Sequence, residues 1–274
     1  MEERTVFFLS DQTGVTAETL GHSLLTQFSA KKFRQVTLPF IDTEDKARQA
    51  VRTINAVQKS GAPKPIVFST LVQREYREML KAADGLHLDI FDVFLEPLSS
   101  ELNERPSFEP GRAHGMSDIE AYMKRIEATN YALANDDGGI SRNYDVADVI
   151  LVGVSRSGKT PTCLYLALQY GVYAANYPLT DEEFESGKLP DFLARQKHKL
   201  FGLSIDPERL QQIRKERRPI GKYSSIQQVK FELRESEKIF RRYGIPHIDT
   251  TKFSIEEISS RILDSTGVER RVRP

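Results

Sequence analysis

Residues 153–160 constrain the fold of this chain more than any other stretch, because one octapeptide combines spaced glycines with a lysine and a threonine. It fits the Walker A spacing in full and reads Gly153-Val154-Ser155-Arg156-Ser157-Gly158-Lys159-Thr160. The near-continuous apolar run 147–152 precedes it, which is typical of a parallel strand buried on both faces. Residues 160–170 have the composition of a helix. This context favours a strand, a phosphate-binding loop and a helix in that order over a chance glycine-rich turn.

The residue types of this loop suit the phosphates of a nucleotide. Glycines let successive backbone N–H groups turn towards phosphate oxygens, and the helix that follows adds its positive N-terminal end. Lys159 supplies a mobile positive charge for a transferred phosphoryl group, and the Thr160 hydroxyl is the expected Mg²⁺ ligand. Arg156 is a further candidate for stabilising transition-state charge, although it could instead pair with a carboxylate. All eight residues are therefore candidate nucleotide-binding residues.

A second metal anchor has two candidate positions. Asp206 closes the apolar run 199–205 like a Walker B aspartate, but Asp206-Pro207 is also an ordinary helix start, and capping is the favoured interpretation. The other position is Asp136-Asp137, where adjacent carboxylates could hold Mg²⁺ or accept a proton from an attacking hydroxyl. A solvated turn would equally explain this pair. Which aspartate would act as base and which as metal anchor stays open.

Composition excludes several classes of protein. The 39 basic and 39 acidic residues balance, so net charge gives no reason to expect a nucleic-acid or membrane partner. The single cysteine, Cys163, excludes an internal disulfide and a cysteine-cluster metal site. No apolar stretch approaches the ~20 residues of a membrane span, and the first apolar run is too short for a signal peptide. We therefore expect a cytoplasmic protein.

Strands alternate with helices in the first part of the chain, which indicates βαβ units on a mainly parallel sheet. The predicted strands are residues 5–9, 36–41 and 65–69, and the predicted helices are residues 16–28, 45–58 and 73–83. Residues 88–94 fit either a strand or a helix. Residues 96–117 are polar, contain three prolines and show no period, so we interpret them as an inter-domain linker. The predicted fold is α/β, with an N-terminal βαβ-type domain at 1–105 and a C-terminal P-loop kinase-like domain with a parallel sheet at 118–274.

The second domain is predicted to open with a helix that begins at a capping box, Ser117 to Glu120, and ends near Ala134. Its predicted buried stripe consists of Ile119, Met123, Ile126 and Tyr131. Further strands are predicted at residues 172–177 and 200–205, and the residues after them are predicted to be helical and rich in charge.

Two polar segments allow more than one interpretation. The basic stretch 209–218 could fold over the phosphates of a nucleotide, or it could be a solvated helix face. Asp11 and Thr13 follow the first predicted strand and could contact a target protein or a phosphate, but a turn with local capping is the favoured interpretation.

Residues around the loop carry a family resemblance. The relevant segments are 153–167, 174–178, 10–18, 38–40, 136–138, 199–203 and 205–210. Together they resemble, over essentially the whole chain, the bacterial phosphoenolpyruvate synthase regulatory proteins. These proteins are related to the pyruvate, phosphate dikinase regulatory proteins. Two positions depart from the family pattern or vary within it. Ser157 occupies a variable loop position, and Asn135 stands where a histidine is expected.

The resemblance implies a bifunctional enzyme that acts on phosphoenolpyruvate synthase as its protein substrate. Such enzymes phosphorylate a threonine of the target with ADP as donor, and they remove that phosphate with inorganic phosphate, releasing pyrophosphate. The implied cofactors and co-substrates are ADP, Mg²⁺ and inorganic phosphate, with Lys159, Asp136, Asp137 and Arg156 as catalytic candidates. The alternatives are the same chemistry on the dikinase, a small-molecule ATP kinase and a nucleotide-binding switch. The sequence does not indicate the oligomeric state, and a homodimer is one possibility.

Overall fold

A computed structural model describes residues 3–59, 61–109, 119–136 and 143–272 of the chain. The chain divides into two compact units, Met1–Ser117 and Asp118–Pro274. Both units are mixed α/β structures, and each contains one four-stranded sheet in which all strands are parallel. The predicted α/β class and parallel sheet are confirmed.

The first unit alternates strands and helices from its beginning. Its elements are β1 (Glu3–Leu9), α1 (Val15–Leu25), β2 (Lys32–Leu38), α2 (Glu44–Lys59), β3 (Ile66–Ser69), α3 (Arg74–Leu80), β4 (Leu86–Asp89) and α4 (Ile90–Leu102). The strand order is β2-β1-β3-β4. Successive residues of β1 enter different cores, because side chains alternate across a strand. Phe7 packs in the core that includes Ile54 of α2, whereas Phe8 packs in the core that includes Ala17 of α1.

The second unit places its sheet between two helical layers. Its elements are α5 (Ile119–Ala134), β5 (Val149–Gly153), α6 (Lys159–Tyr170), β6 (Ala174–Pro178), α7 (Asp181–Ser186), α8 (Asp191–Arg195), β7 (Leu200–Ser204), α9 (Pro207–Arg217), α10 (Ile226–Tyr243), β8 (His247–Asp249) and α11 (Ile255–Thr266). The strand order is β6-β5-β7-β8. All residues of β5 are buried, as the continuous apolar run predicted. Ile150 and Val152 face one core, and Val149 and Leu151 face the other.

The predicted linker begins too early. Residues 88–94 contain the end of β4 and the start of α4, and the helix continues through residues 96–102. Asp89 starts the helix by accepting hydrogen bonds from the backbone N–H groups of Phe91 and Asp92 at 3.1 and 3.2 Å. Pro97 lies inside α4, where it costs one backbone hydrogen bond without ending the helix. The first residues of the predicted linker 96–117 therefore belong to α4.

The predicted buried stripe of α5 is wrong at its first two positions. Ile119 is 65 % exposed and Met123 is also exposed, whereas the buried residues of α5 are Ala128 and Ala132. These alanines share a core with residues of α6, because small side chains allow two helices to approach closely. The capping serine, Ser117, lies outside the described residues.

The C-terminal part of the chain contains one strand that the sequence did not predict. β8 spans only His247–Asp249 and pairs with β7 at the edge of the sheet. Three residues are too few to produce a recognisable alternating pattern between two long helices. Within the described residues, no helix is long and apolar enough to cross a membrane, and the predicted cytoplasmic location stays a prediction.

Candidate phosphate-binding site

The loop between β5 and α6 approaches β7 so closely that it requires glycine at its first position. Gly153 has φ +154°, and a Cβ atom there would lie 2.4 Å from the carbonyl oxygen of Leu203. Gly158, at the N-cap of α6, has φ +93°, and Arg156 adopts φ +74°, which is uncommon for a residue with a side chain. The loop thus turns sharply and delivers the start of α6 to the carboxyl edge of the sheet, where ligands of open parallel sheets bind.

Lys159 is the first residue of α6 and is only 4 % exposed. Its Nζ donates a hydrogen bond of 2.8 Å to the carbonyl oxygen of Val154, so the side chain folds back over the loop. The buried ammonium therefore places positive charge at the loop. Its role towards a phosphoryl group stays a prediction.

Thr160 and Asp136 are brought into direct contact. The Thr160 hydroxyl donates a hydrogen bond of 2.8 Å to Asp136 Oδ1. Asn176, on β6, donates from Nδ2 to Asp136 Oδ1 at 2.5 Å and to Thr160 Oγ1 at 3.1 Å. Asp136 therefore lies beside the loop threonine, while Asp137 lies outside the described residues.

A cavity of about 610 Å³ opens onto these groups. Its lining residues are Asp136, Ser155, Arg156, Gly158, Lys159, Thr160, Pro161, Asn176, Ile213 and Arg217. This volume is in the range of small-molecule binding sites. The basic stretch predicted from the sequence contributes Arg217, and α9 also contributes Ile213 to the wall.

Arg214, from the same stretch, has a different position. Its side chain is completely buried, and its Nη2 contacts Glu232 Oε2 of α10 at 2.6 Å. The guanidinium also donates to the carbonyl oxygen of Ser155 and lies over the ring of Tyr223, 4.4 Å from its centroid. The Tyr223 and Ser155 hydroxyls are 3.1 Å apart. Arg214 thus holds the loop between β5 and α6 in place through Ser155, and it is not part of a solvated helix face.

Asp206 begins α9 as the sequence favoured. Its Oδ1 accepts a hydrogen bond of 2.9 Å from the backbone N–H of Arg209, which is an N-cap contact. Asp206 is not among the described residues that line the cavity. Of the two proposed metal anchors, only the one at Asp136 contacts the loop threonine.

The side-chain oxygens of Thr160 and Asp136 are of the ligand type that suits a magnesium ion. Mg²⁺ prefers hard oxygen ligands and usually keeps several waters, so one or two side chains and the phosphates of a nucleotide suffice to hold it. The side-chain oxygen of Asn176 is not one of these ligands, since Nδ2 faces Asp136 and Thr160. No cluster of three or more His, Cys, Asp or Glu side chains suited to a metal occurs in the described parts of the chain.

Cys163 lies one turn after Lys159, and its thiol is buried. Burial, followed by the nearby charge of Asp136, raises the pKa of this thiol far above its usual range, although Lys159 acts in the opposite direction. The cysteine therefore stays protonated and belongs to the core between the sheet and α6.

Asp11 connects two loops of the first unit. Its side chain is buried, and Oδ2 accepts a hydrogen bond of 3.1 Å from the backbone N–H of Val72. Burial raises the pKa of this carboxyl. The contact joins residues 61 positions apart, so it is not the local cap that the turn interpretation expected.

Sequence reasoning missed Asn176, Tyr223 and Glu232 as residues of the site. A signal existed for Asn176, because a lone amide in a buried strand next to the loop strand requires hydrogen-bond partners. Tyr223 and Glu232 gave no such signal, since their role depends on how α9 and α10 fold against the loop.

A model of the kinase/pyrophosphorylase family matches residues 6–263. The chain belongs to the kinase/pyrophosphorylase family. This membership confirms the family resemblance and supports a transferase activity. A protein of Pseudomonas fluorescens is 54 % identical over 271 residues, which cover 99 % of this chain and 100 % of the relative. Relatives from Alcanivorax borkumensis and Marinobacter nauticus are each 52 % identical, covering 99 % and 98 % of this chain and 100 % and 99 % of their own lengths. All three are provisionally named phosphoenolpyruvate synthase regulatory protein.

Proposed function

We propose that this site transfers the β-phosphoryl group of ADP to a threonine of phosphoenolpyruvate synthase, and that it also removes the group with inorganic phosphate. The observation that carries the proposal is the hydrogen bond from Thr160 to Asp136, because it joins a Walker A loop to a carboxylate suited to a metal ion. Membership of the kinase/pyrophosphorylase family supports both directions, and the names of the relatives support this target.

In the phosphorylation reaction, the threonine oxygen of the target forms a bond to the β-phosphorus of ADP. The bond from that phosphorus to the oxygen bridging to the α-phosphate breaks, and AMP leaves. Lys159 stabilises the negative charge on the transferred group, and Arg156 and Arg217 border the same cavity. Mg²⁺, when bound, neutralises phosphate charge in addition to these residues.

The proton of the attacking hydroxyl needs an acceptor. Asp136 Oδ1 already accepts hydrogen bonds from Thr160 and Asn176, so Asp136 is better suited to supporting the metal ion. We therefore assign the base to Asp137, whose carboxylate follows directly in the sequence. The phosphoryl-bearing target is inactive in this scheme.

In the reverse reaction, inorganic phosphate occupies the pocket that otherwise holds the β-phosphate. Its oxygen bonds to the phosphorus of the phosphothreonine, the bond to the threonine oxygen breaks, and that oxygen takes up a proton. The products are pyrophosphate and the free threonine. The reaction requires that water be kept out of the pocket, since hydrolysis would release inorganic phosphate instead. Because both reactions use one pocket, ADP should compete with inorganic phosphate.

A transfer assay with ADP labelled in its β-phosphate tests this function. Purified phosphoenolpyruvate synthase is first loaded with its own substrate, and pyruvate, phosphate dikinase serves as the parallel target. Label on a synthase threonine together with an equal amount of AMP would support the proposal. Label from γ-labelled ATP alone would overturn ADP as donor, and label on the dikinase alone would overturn the target. Phosphorolysis that is unaffected by saturating ADP would contradict the shared pocket.

A further inference from the structure

We infer that Asn176 sets the affinity of the site for a divalent cation by fixing the hydroxyl group of Thr160; the inference rests on the proposed function. Asn176 lies on β6 and is 2 % exposed. Its Nδ2 lies 2.5 Å from Asp136 Oδ1 and 3.1 Å from Thr160 Oγ1. Its backbone N–H also donates to the carbonyl oxygen of Asn135 at 3.1 Å, which holds the segment before Asp136 against the strand.

The hydrogen bonds determine which way the amide of Asn176 faces. An amide nitrogen carries two N–H donors, and here both have acceptors, one on Asp136 and one on Thr160. The reverse orientation would put the amide oxygen 2.5 Å from a carboxylate oxygen, where the two would repel each other. Nδ2 therefore faces Asp136 and Thr160, and Oδ1 faces away from them.

The hydrogen-bond donors and acceptors of the Thr160 hydroxyl can be counted in the same way. A hydroxyl has one donor and two acceptor lone pairs. Its hydrogen goes to Asp136, and one lone pair accepts from Asn176. One lone pair then remains for a cation, and the hydroxyl cannot rotate without losing both hydrogen bonds. Asn176 thus removes the rotational freedom that cation binding would otherwise have to restrict.

The contacts of Asn176 to the two side chains come from its amide nitrogen alone. The side-chain oxygen is buried and has no hydrogen-bond partner among the described residues, so it takes no part in these contacts. Asn176 is thus a positioning residue with contacts to both side chains that suit the cation.

The test uses Mn²⁺ as the cation probe and measures free Mn²⁺ by electron paramagnetic resonance at saturating ADP. Asn176→Leu replaces the amide with an apolar group of similar size, and Asn176→Ala is a smaller second variant. Ser259→Ala is the matched control, because Ser259 on α11 is also fully buried and its side-chain oxygen has no partner within the described part of the chain. ADP binding is measured in parallel in the presence of a chelator, and thermal melting checks that each variant is folded.

We expect the Mn²⁺ Kd of both Asn176 variants to rise about five- to fifteenfold, the effect of losing the hydrogen bond that fixes Thr160 Oγ1, with metal-free ADP binding within about twofold of wild type. The Ser259→Ala control should match wild type in both measurements. An unchanged Mn²⁺ Kd in folded Asn176 variants would overturn the inference alone. An equal loss of metal-free ADP binding would overturn it as well, since it indicates a general loss of loop structure. A wild-type protein that binds neither ADP nor Mn²⁺ would overturn the proposed function and the inference together.

Discussion

Arg214 donates hydrogen bonds to the carbonyl oxygen of Ser155 from Nη2 at 3.1 Å and from Nε at 3.4 Å. The charge of this buried guanidinium is balanced by Glu232. The pair therefore fixes the Ser155 carbonyl of the loop between β5 and α6. Neither Arg214 nor Glu232 is among the described residues that line the cavity.

The first prediction separates the stability contribution of this pair from its effect on the loop. Arg214→Met leaves the Glu232 carboxylate buried without its cation, so we expect the free energy of unfolding to fall by about 3–5 kcal/mol. The double variant Arg214→Met/Glu232→Leu removes both charges and should regain most of that stability. Phosphoryl transfer by the stable double variant should still be at least about tenfold slower, because the Ser155 carbonyl has lost its donors. Denaturant unfolding and the labelled-ADP assay measure the two effects.

The surface ion pair between Arg241 and Glu237 on α10 provides a control. Removing it in the double variant Arg241→Met/Glu237→Leu should change stability by less than about 1 kcal/mol and leave the rate unchanged. Wild-type rates in the Arg214/Glu232 double variant would mean that the loop keeps its position without the anchor.

The second prediction concerns Lys159. We expect Lys159→Ala to lower both phosphorylation and phosphorolysis by at least about 10²–10³-fold, since one buried cation serves the same phosphoryl pocket in both directions. The melting temperature should stay close to that of wild type. Lys238→Ala, on the exposed face of α10, is the matched control. A folded Lys159→Ala protein that retains either activity would refute the single-pocket scheme.

The third prediction concerns the close approach of the loop to β7. Gly153→Ala puts a Cβ atom 2.4 Å from the carbonyl oxygen of Leu203, and a backbone atom cannot move away cheaply. We expect a loss of stability on the order of 3 kcal/mol together with loss of nucleotide binding. Gly244→Ala is the comparison, because Gly244 also has positive φ but a Cβ there would meet nothing within 4 Å. It should cost only about 1 kcal/mol and leave nucleotide binding intact. Chemical denaturation and ADP titration test both variants, and equal losses would show that the contact with Leu203 is unimportant.

The fourth prediction uses the thiol of Cys163. Because burial raises its pKa, the thiol should react with a disulfide reagent in the native protein at neutral pH at least about 10³-fold more slowly than in denaturant. The same shift makes the fold less stable in alkali. Below the ordinary thiol pKa of about 8.5 the group is protonated in both states, whereas above it the unfolded chain releases the proton and the folded chain keeps it. Rapid labelling of the folded protein would contradict the buried position.

The sequence predicted the parts of this protein that local patterns determine. The Walker A spacing between a continuous apolar run and a helix located β5, the loop and α6, and Asp206-Pro207 located the start of α9. The assignment of eight loop residues to nucleotide binding stays a prediction, as do the domain limits.

The remaining parts depend on tertiary contacts that no local pattern records. Arg214 belongs to a run of charges that would normally be solvated, and only the fold of α9 against the loop and α10 buries it. Ile119 and Met123 have the spacing of a buried stripe, yet the core takes the smaller Ala128 and Ala132. The contact between Asp136 and Thr160 joins residues 24 positions apart, so spacing alone suggested both groups without showing that they meet.

The all-parallel strand order imposes a sequence of events on biosynthesis. Two neighbouring parallel strands are joined by a crossover connection of a dozen or more residues. A strand therefore cannot pair with its neighbour until that connection and the neighbouring strand have been translated. The first sheet is complete once β4 has been made at Asp89, before any residue of the phosphate loop exists. The loop, in contrast, packs against Leu203 and is anchored through Glu232, both of which are translated after it. A nascent chain can therefore complete its first sheet early, whereas the loop between β5 and α6 gains its contacts with Leu203 and the Arg214–Glu232 pair only when α10 has been made.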